Sequence, residues 1–132
     1  MYMNGLDLEF PDNSFDFAFS FSSIEHFGGH ASAAQSVREM ARVFRPGGAV
    51  ILTSEVILNG QHHEEFFLHH EIQEYLVYRS GLEPIEEIDY RISDQTLEHA
   101  VNTQHPGYMS QLPHIVLKHK SVYYTSFCLV LQ

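Results

Sequence analysis

Apolar and polar positions along the chain change period several times, and each change marks an element. Residues 15–22 are aromatic and apolar with little alternation, the pattern of a strand covered on both faces as in a parallel sheet. The run 11–15 ahead of it is turn chemistry: Pro11 fixes φ, and the Asp12 and Asn13 side chains can bond nearby backbone. Beyond Gly28-Gly29, the apolar residues Ala33, Val37, Met40, Ala41 and Phe44 recur at helical spacing, with Arg38, Glu39 and Arg42 on the other side. That spacing predicts an amphipathic helix over 32–44, about three turns long. Arg42 and Arg45 suit its negative C-terminal end, and Pro46-Gly47-Gly48 stops it. A short β-rich apolar run, 49–53, follows directly. Strand, helix and strand at this separation predict a right-handed βαβ crossover.

The second half is less regular. Ile72, Tyr75, Leu76 and Arg79 form one stripe and Gly81 is a C-terminal stop, which predicts a helix over 70–80. Residues 82–92 read as a strand whose acids Glu83, Glu86, Glu87 and Asp89 make a solvated face and a charge-protected sheet edge. Weak periodicity, Pro106-Gly107 and Pro113 make 93–114 a loop with a short helix near 96–101, long enough to serve as a lid or substrate loop. The final run, 121–131, carries Val122, Tyr123, Tyr124, Phe127, Leu129 and Val130 and predicts a long strand.

Composition narrows the function classes. At 132 residues and 44% hydrophobic, the chain suits one compact domain. Seventeen acidic against seven basic residues leave a formal charge of -10, which repels a phosphate backbone, so no nucleic-acid partner is expected. No apolar stretch approaches the roughly 18 to 20 residues that span a bilayer, so no membrane partner is expected either. A single cysteine, Cys128, excludes an intrachain disulfide and reads as a small core residue in a reducing compartment. The expectation is a soluble, cytoplasmic protein.

Two stretches carry a family resemblance. Residues 4–16, Asn-Gly-Leu-Asp-Leu-Glu-Phe-Pro-Asp-Asn-Ser-Phe-Asp, continuing from Ser20 to Ile24-Glu25-His26-Phe27, resemble the adenine loop and fourth strand of class I S-adenosylmethionine-dependent methyltransferases. Residues 39–52, Glu-Met-Ala-Arg-Val-Phe-Arg-Pro-Gly-Gly-Ala-Val-Ile-Leu, are similar to the helix, Arg-Pro-Gly-Gly turn and fifth strand of the same family. The resemblance implies an α/β fold: strands four to seven of a seven-stranded Rossmann-like sheet, with a parallel core, an antiparallel final strand and helices packed on the sheet. Residues 1–132 would then be one partial methyltransferase domain.

In an open parallel sheet, ligands sit beyond the carboxyl ends of the strands, which places 20–26 and 53–56 at the site. The resemblance assigns cofactor binding to Asn4, Gly5, Ser20 and Phe21. Asn4 stands where the family usually has an Asp that accepts from the adenine amino group; its amide oxygen can accept without charge assistance, and an ordinary turn is the alternative. Asp7 reads as a loop cap. Glu25 and His26, just past the strand, are the catalytic candidates, with the His26 imidazole poised as a general base near neutral pH. In ubiquinone-pathway O-methyltransferases a similar Glu-His pair joins an earlier Glu to hold a divalent metal; Ser22 occupies that earlier position here, and no metal is assigned.

The family's Gly-rich turn and the acid that ends its second strand have no counterpart in this sequence. The resemblance therefore implies methyl transfer to a small molecule or glycan precursor by a longer enzyme of which this is a fragment, or by a chain complemented by another polypeptide carrying the missing strands. Cofactor binding by this chain alone should be very weak or absent, and the isolated chain inactive. Two other readings stand beside it: a noncatalytic methyltransferase-fold scaffold, and a metal-binding module built on His62, His63, Glu64, Glu65, His69 and His70, where His62, Glu65 and His69 would share a face if helical.

Overall fold

A computed structural model describes residues 3–132. Its five strands, β1 (Phe15–Phe21), β2 (Phe44–Ile57), β3 (Val101–Asn102), β4 (Leu117–His119) and β5 (Val122–Leu131), form one sheet in the order β1-β2-β5-β4-β3. β1 runs parallel to β2, and β3 parallel to β4. The last strand, β5, lies antiparallel between β2 and β4. The expected α/β architecture with an antiparallel final strand is present, and that strand sits in the middle of the sheet.

Helix α1 (His30–Val43) connects β1 to β2 and closes the predicted crossover. Its 3.6-residue repeat buries Ala33, Val37 and Met40 against the sheet, where Val50, Leu52 and Leu129 meet them in one core. The Arg-Pro-Gly-Gly turn works by close approach. A Cβ on Gly48 would stand 2.5 Å from the Asp16 carbonyl oxygen, 2.8 Å from the Phe44 ring and 2.9 Å from the Arg45 carbonyl oxygen. Only a residue without a side chain lets β2 pass β1 there, at the point where their register shifts between Phe15 and Phe17.

The predicted second helix is one helical stretch of three pitches: an α turn at His69–Glu71, π geometry over Ile72–Val77 and a 3-10 turn at Tyr78–Ser80, together called α2. Ile72 and Leu76 are its buried residues, and Gly81 ends it with φ 75. The short helix of the long loop, α3, runs over Asp94–Glu98, two residues earlier than expected, because the Ser93 hydroxyl accepts the Thr96 N–H and caps it. No helix among the described residues is long and apolar enough to cross a membrane.

Three expectations are corrected. Residues 82–92 do not form a strand: Pro84 has no N–H, and among the described residues the segment's backbone bonds the end of the chain only at Glu83 with Gln132 and at Ile85 with Val130. Of its acids, Glu83 sits in that short bridge, while Glu86, Glu87 and Asp89 line an open cavity over β5. Cys128 lies exposed on the face of β5 beside that cavity, outside the core. Among the described residues β1, read as covered on both faces, pairs with β2 alone, and it exposes Phe17, Phe19 and Phe21 at 57–59%. Their rings follow one another at 6.3 and 5.2 Å along the strand, because alternate residues share a face.

Candidate functional site

The carboxyl ends of β1 and β2 lie side by side, and the chain turns sharply where β1 stops. Ser22 takes φ 41, rare for a residue with a side chain, and its N–H is held by the Thr53 carbonyl at 2.9 Å. A single 3-10 turn, Ile24–His26, follows. Ile24 plugs the core at 0% exposure and draws Glu25 inward with it, to 1%.

Glu25 is the focus of the site. Its Oε2 accepts from the buried Ser54 hydroxyl at 3.0 Å, and its Oε1, equally buried, has no hydrogen-bond partner among the described residues. The half-buried Glu55 carboxyl, one residue on from Ser54, lies against Glu25. Burial, and then contact with the Glu25 carboxyl, push Glu55 up to about 7. The Ser22 hydroxyl, by bonding the ionised form, pulls it the other way. The sequence pattern puts residues 53–56 at the site without singling out Glu55. The one signal for it is an acid inside the apolar run Ile-Leu-Thr-Ser-Glu-Val-Ile.

His26 stands on the rim, its side chain 56% exposed. Its Nδ1 lies 3.1 Å from Glu65 Oε1, and this hydrogen bond raises the imidazole pKa above its ordinary value. An ionised carboxylate only accepts, so Nδ1 carries the proton and Nε2 is left as the basic atom of the neutral ring. Nε2 is 3.7 Å from Glu25 Oε1, beyond hydrogen-bond reach.

Glu65 is delivered by the loop 58–68, which Phe67 anchors. Phe67 is fully buried, its N–H bonds the Glu55 carbonyl at 3.1 Å, and its carbonyl accepts from Ile57 N–H at 2.8 Å. His30, at the start of α1, stacks on the Phe67 ring at 4.5 Å and bonds the Phe66 carbonyl at 3.1 Å through Nε2. His62, Glu65 and His69 do not share the helical face that a metal module would need, because 61–66 are irregular. The His63 ring stacks on Phe66 and His69 on Tyr90.

The carboxyl pair gives stability a sign with pH. Folded Glu55 binds its proton more tightly than the unfolded residue, so its share of stability is lost as pH rises from about 4.5 to about 7. The His26–Glu65 contribution is likewise present below the ordinary histidine value and lost as pH rises through the raised one. His63 and His69, lowered chiefly by burial, act in the opposite direction as pH falls. A comparison with Glu55→Gln separates these contributions: the variant should gain melting temperature relative to the parent as pH climbs through that window. A difference independent of pH would contradict the buried pair.

The second part of the site lies against β1 and α1. Gly5 and Ser20 line one open cavity of about 320 Å³, whose apolar wall includes Phe17 and Phe19 of β1 together with Phe10, Phe27 and Met40. Gly5 is needed for this packing, since a Cβ there would come within 2.8 Å of the Phe27 ring. Asn4 and Phe21 do not line it. Asn4 is exposed and its Oδ1 accepts the Leu6 N–H at 3.0 Å, which closes a small turn. Asp7 N–H returns to the Asn4 carbonyl at 3.1 Å. Arg42 pins the loop onto α1: its guanidinium donates to the Leu8 and Phe10 carbonyls, to Asp12 and to Glu39, at 2.7 to 3.0 Å. Glu39 in turn accepts from Leu8 N–H at 2.9 Å.

An apolar, ring-walled cavity with a glycine at its lip fits the flat adenine end of a nucleoside cofactor. Nothing in it resembles a grip for ribose hydroxyls or a methionyl group. The residues present therefore fit one end of S-adenosylmethionine.

Comparison with known proteins bears on the fold. Residues 2–52 match the methyltransferase domain family. Among solved structures, the [4+2]-cyclase SpnF is similar at 25% identity and TM-score 0.54, over 64% of this chain and 32% of that one. A putative methyltransferase of Haloferax volcanii, solved with the Trm112 methyltransferase activator, is similar at 18% identity and TM-score 0.59, over 98% of this chain and 58% of that one. Phosphoethanolamine N-methyltransferase 2 of Haemonchus contortus, in complex with S-adenosyl-L-methionine, is similar at 17% identity and TM-score 0.59, over 96% of this chain and 35% of that one. The chain thus spans between about a third and three fifths of the length of these three structures. By its matched residues and its architecture, the chain has the fold of the class I S-adenosylmethionine-dependent methyltransferases.

Proposed function

We propose that this chain contributes the adenine-contacting and acceptor-side parts of an S-adenosylmethionine-dependent methyl transfer to a small molecule or a glycan precursor, in the cytoplasm. Fold alone does not select that reaction, since one similar structure is a cyclase. The observation that carries the reading is the meeting of a basic imidazole, His26, with two carboxyl groups at the carboxyl ends of two parallel strands, on the β1 strand that also walls the apolar cavity.

The roles follow from the geometry. Gly5 and Ser20 would receive the adenine end of the cofactor, with Asn4 and Phe21 flanking the cavity from outside. S-adenosylmethionine, when bound, supplies an electrophilic methyl group on its sulfonium. His26, oriented by Glu65 through Nδ1, would take a proton from the acceptor hydroxyl or amine at Nε2. Glu25 would stabilise the imidazolium so formed from 3.7 Å away, the carboxyl buried and the imidazole on the rim.

Calorimetric titration with S-adenosylmethionine and with adenosine tests this. Binding should be weak for both, on the order of millimolar, because this chain offers a place for the adenine end alone. Gly5→Leu should abolish it, since the new side chain would enter the space of the Phe27 ring. Absence of saturation by either compound would remove the cofactor half of the reading.

One observation favours an added partner. Among the described residues β1 hydrogen-bonds only on its β2 side, and it exposes four phenylalanines, an edge suited to receive another strand. We propose that a complementing segment or chain carrying the remaining strands occupies it and supplies the rest of the cofactor grip. A soluble monomer on gel filtration, still binding S-adenosylmethionine at micromolar concentration, would show that no such partner is needed.

A further inference from the structure

The carboxyl groups of the site outnumber the positive charges available to them. Glu25, Glu55 and Glu65 converge near the end of β1, and among the described residues His26 is the basic side chain that contacts them. The arginines are engaged elsewhere: Arg38 donates to Gln35, Arg42 pairs with Glu39 and Asp12, Arg45 with Asp16, Arg79 with Glu74, and Arg91 with Asp89. The Lys118 ammonium lies over the Tyr123 ring. Glu25 Oε1 is the atom most in need, buried beside a second carboxyl with no donor. A buried carboxylate left in that state is costly unless a proton or a cation is shared with it.

The surroundings are built for a small cation with hydrogens to give. Ser54 already holds the other Glu25 oxygen at 3.0 Å, so Oε1 is fixed in direction. Ser22, held at φ 41, keeps its hydroxyl against Glu55. Glu25 Oε1 is closed off from solvent while Glu55 is half-buried, so an amine would reach the pair from the Glu55 side. Among the described residues no group of three or more His, Cys, Asp or Glu side chains is arranged to hold a metal ion. Two carboxyl groups and two hydroxyls instead match an alkylammonium group, which presents three N–H donors and one charge.

We infer that the Glu25–Glu55 pair, flanked by the Ser22 and Ser54 hydroxyls, binds the protonated amine of an amine-bearing small molecule, and that this molecule is the methyl acceptor. The second half of that statement rests on the methyltransferase reading; the first does not. It places the amine within reach of His26, whose Nε2 is 3.7 Å from Glu25 Oε1 and is the atom free to receive a proton from it.

Ethanolamine is a suitable probe, with ethylene glycol as its uncharged counterpart, titrated into the full chain without cofactor near neutral pH. Binding can be read from the carboxyl carbon shifts of glutamate-labelled protein. Ethanolamine should saturate with a dissociation constant on the order of millimolar and move the Glu25 and Glu55 signals together, and ethylene glycol should move neither. Glu55→Gln should weaken ethanolamine about tenfold. Glu25→Gln should do the same where circular dichroism shows it folded, and Glu55→Gln, with its more exposed side chain, covers the case in which it is not. Equal responses to the two probes, or an unchanged affinity in Glu55→Gln, would overturn the inference. So would displacement of ethanolamine by magnesium or zinc at the same two signals with tighter binding, which would make the site a metal site. Because cofactor is left out, ethanolamine binding can succeed while S-adenosylmethionine binding fails, and the reverse.

Discussion

Phe67→Ala should lower the unfolding free energy by about 3–5 kcal/mol, the usual range for emptying a fully buried phenylalanine site. The ring fills the space between α1, β2 and α2, and its backbone makes two hydrogen bonds to β2. Collapse around the cavity is limited, because the His30 ring that stacks on it is itself tied to the Phe66 carbonyl and sits 3.5 Å from Glu71. The loss should reach the site as well. Phe67 N–H holds the Glu55 carbonyl, and the loop it anchors brings Glu65 to His26. Urea denaturation gives the stability change, and an NMR titration of His26 should show its pKa falling back toward the ordinary histidine value. A loss below about 1 kcal/mol would mean that Phe67 is not the anchor described.

Gly48→Ala should cost about 3 kcal/mol, the upper end of what overpacking a tight contact brings. Of the three atoms its Cβ would meet within 3 Å, two are backbone carbonyl oxygens, which cannot swing aside as a side chain can. The relief open to the chain is a separation of β1 from β2 near Asp16, and that would shift the wall of the apolar cavity. Its neighbour provides the control. Gly47 has φ 84 and open space for 4 Å around the position a Cβ would take, so Gly47→Ala should cost only the left-handed strain, about 1–2 kcal/mol. Thermal denaturation of the two variants side by side checks the order; equal losses would show that contact with the Asp16 and Arg45 carbonyls is not what makes Gly48 necessary.

The first crossover was legible because each of its elements is long and strongly periodic. The α1 stripe, the Pro-Gly-Gly stop and the apolar run after it all state the same local geometry, and the Gly81 stop does so for α2. What escaped is governed by distant partners. β3 is two residues long and exists only because Val101 and Asn102 find β4. The segment 82–92 has the composition of a strand, yet Pro84 and a sparse ladder keep it from becoming one. At the site, Glu25 and His26 were visible as a pair in sequence. Their opposed fates, one buried and one on the rim, depend on Ile24 being the residue that enters the core. Glu55 and Glu65 join them from far along the chain, Glu65 from thirty-nine positions beyond His26, a proximity no local pattern encodes.

The position of β5 bears on how the sheet comes into being. Its residues 124–131 zip onto β2, and its start carries β4, which in turn carries β3, so the two halves of the sheet are joined through this strand alone. Val50 pairs with Leu131 across most of the sequence, the kind of contact whose closure entropy must be met before it brings any reward. The β1–α1–β2 crossover is local and can form early, while the sheet's middle is completed late, and until then the inner edge of β2 is open to whatever strand arrives first.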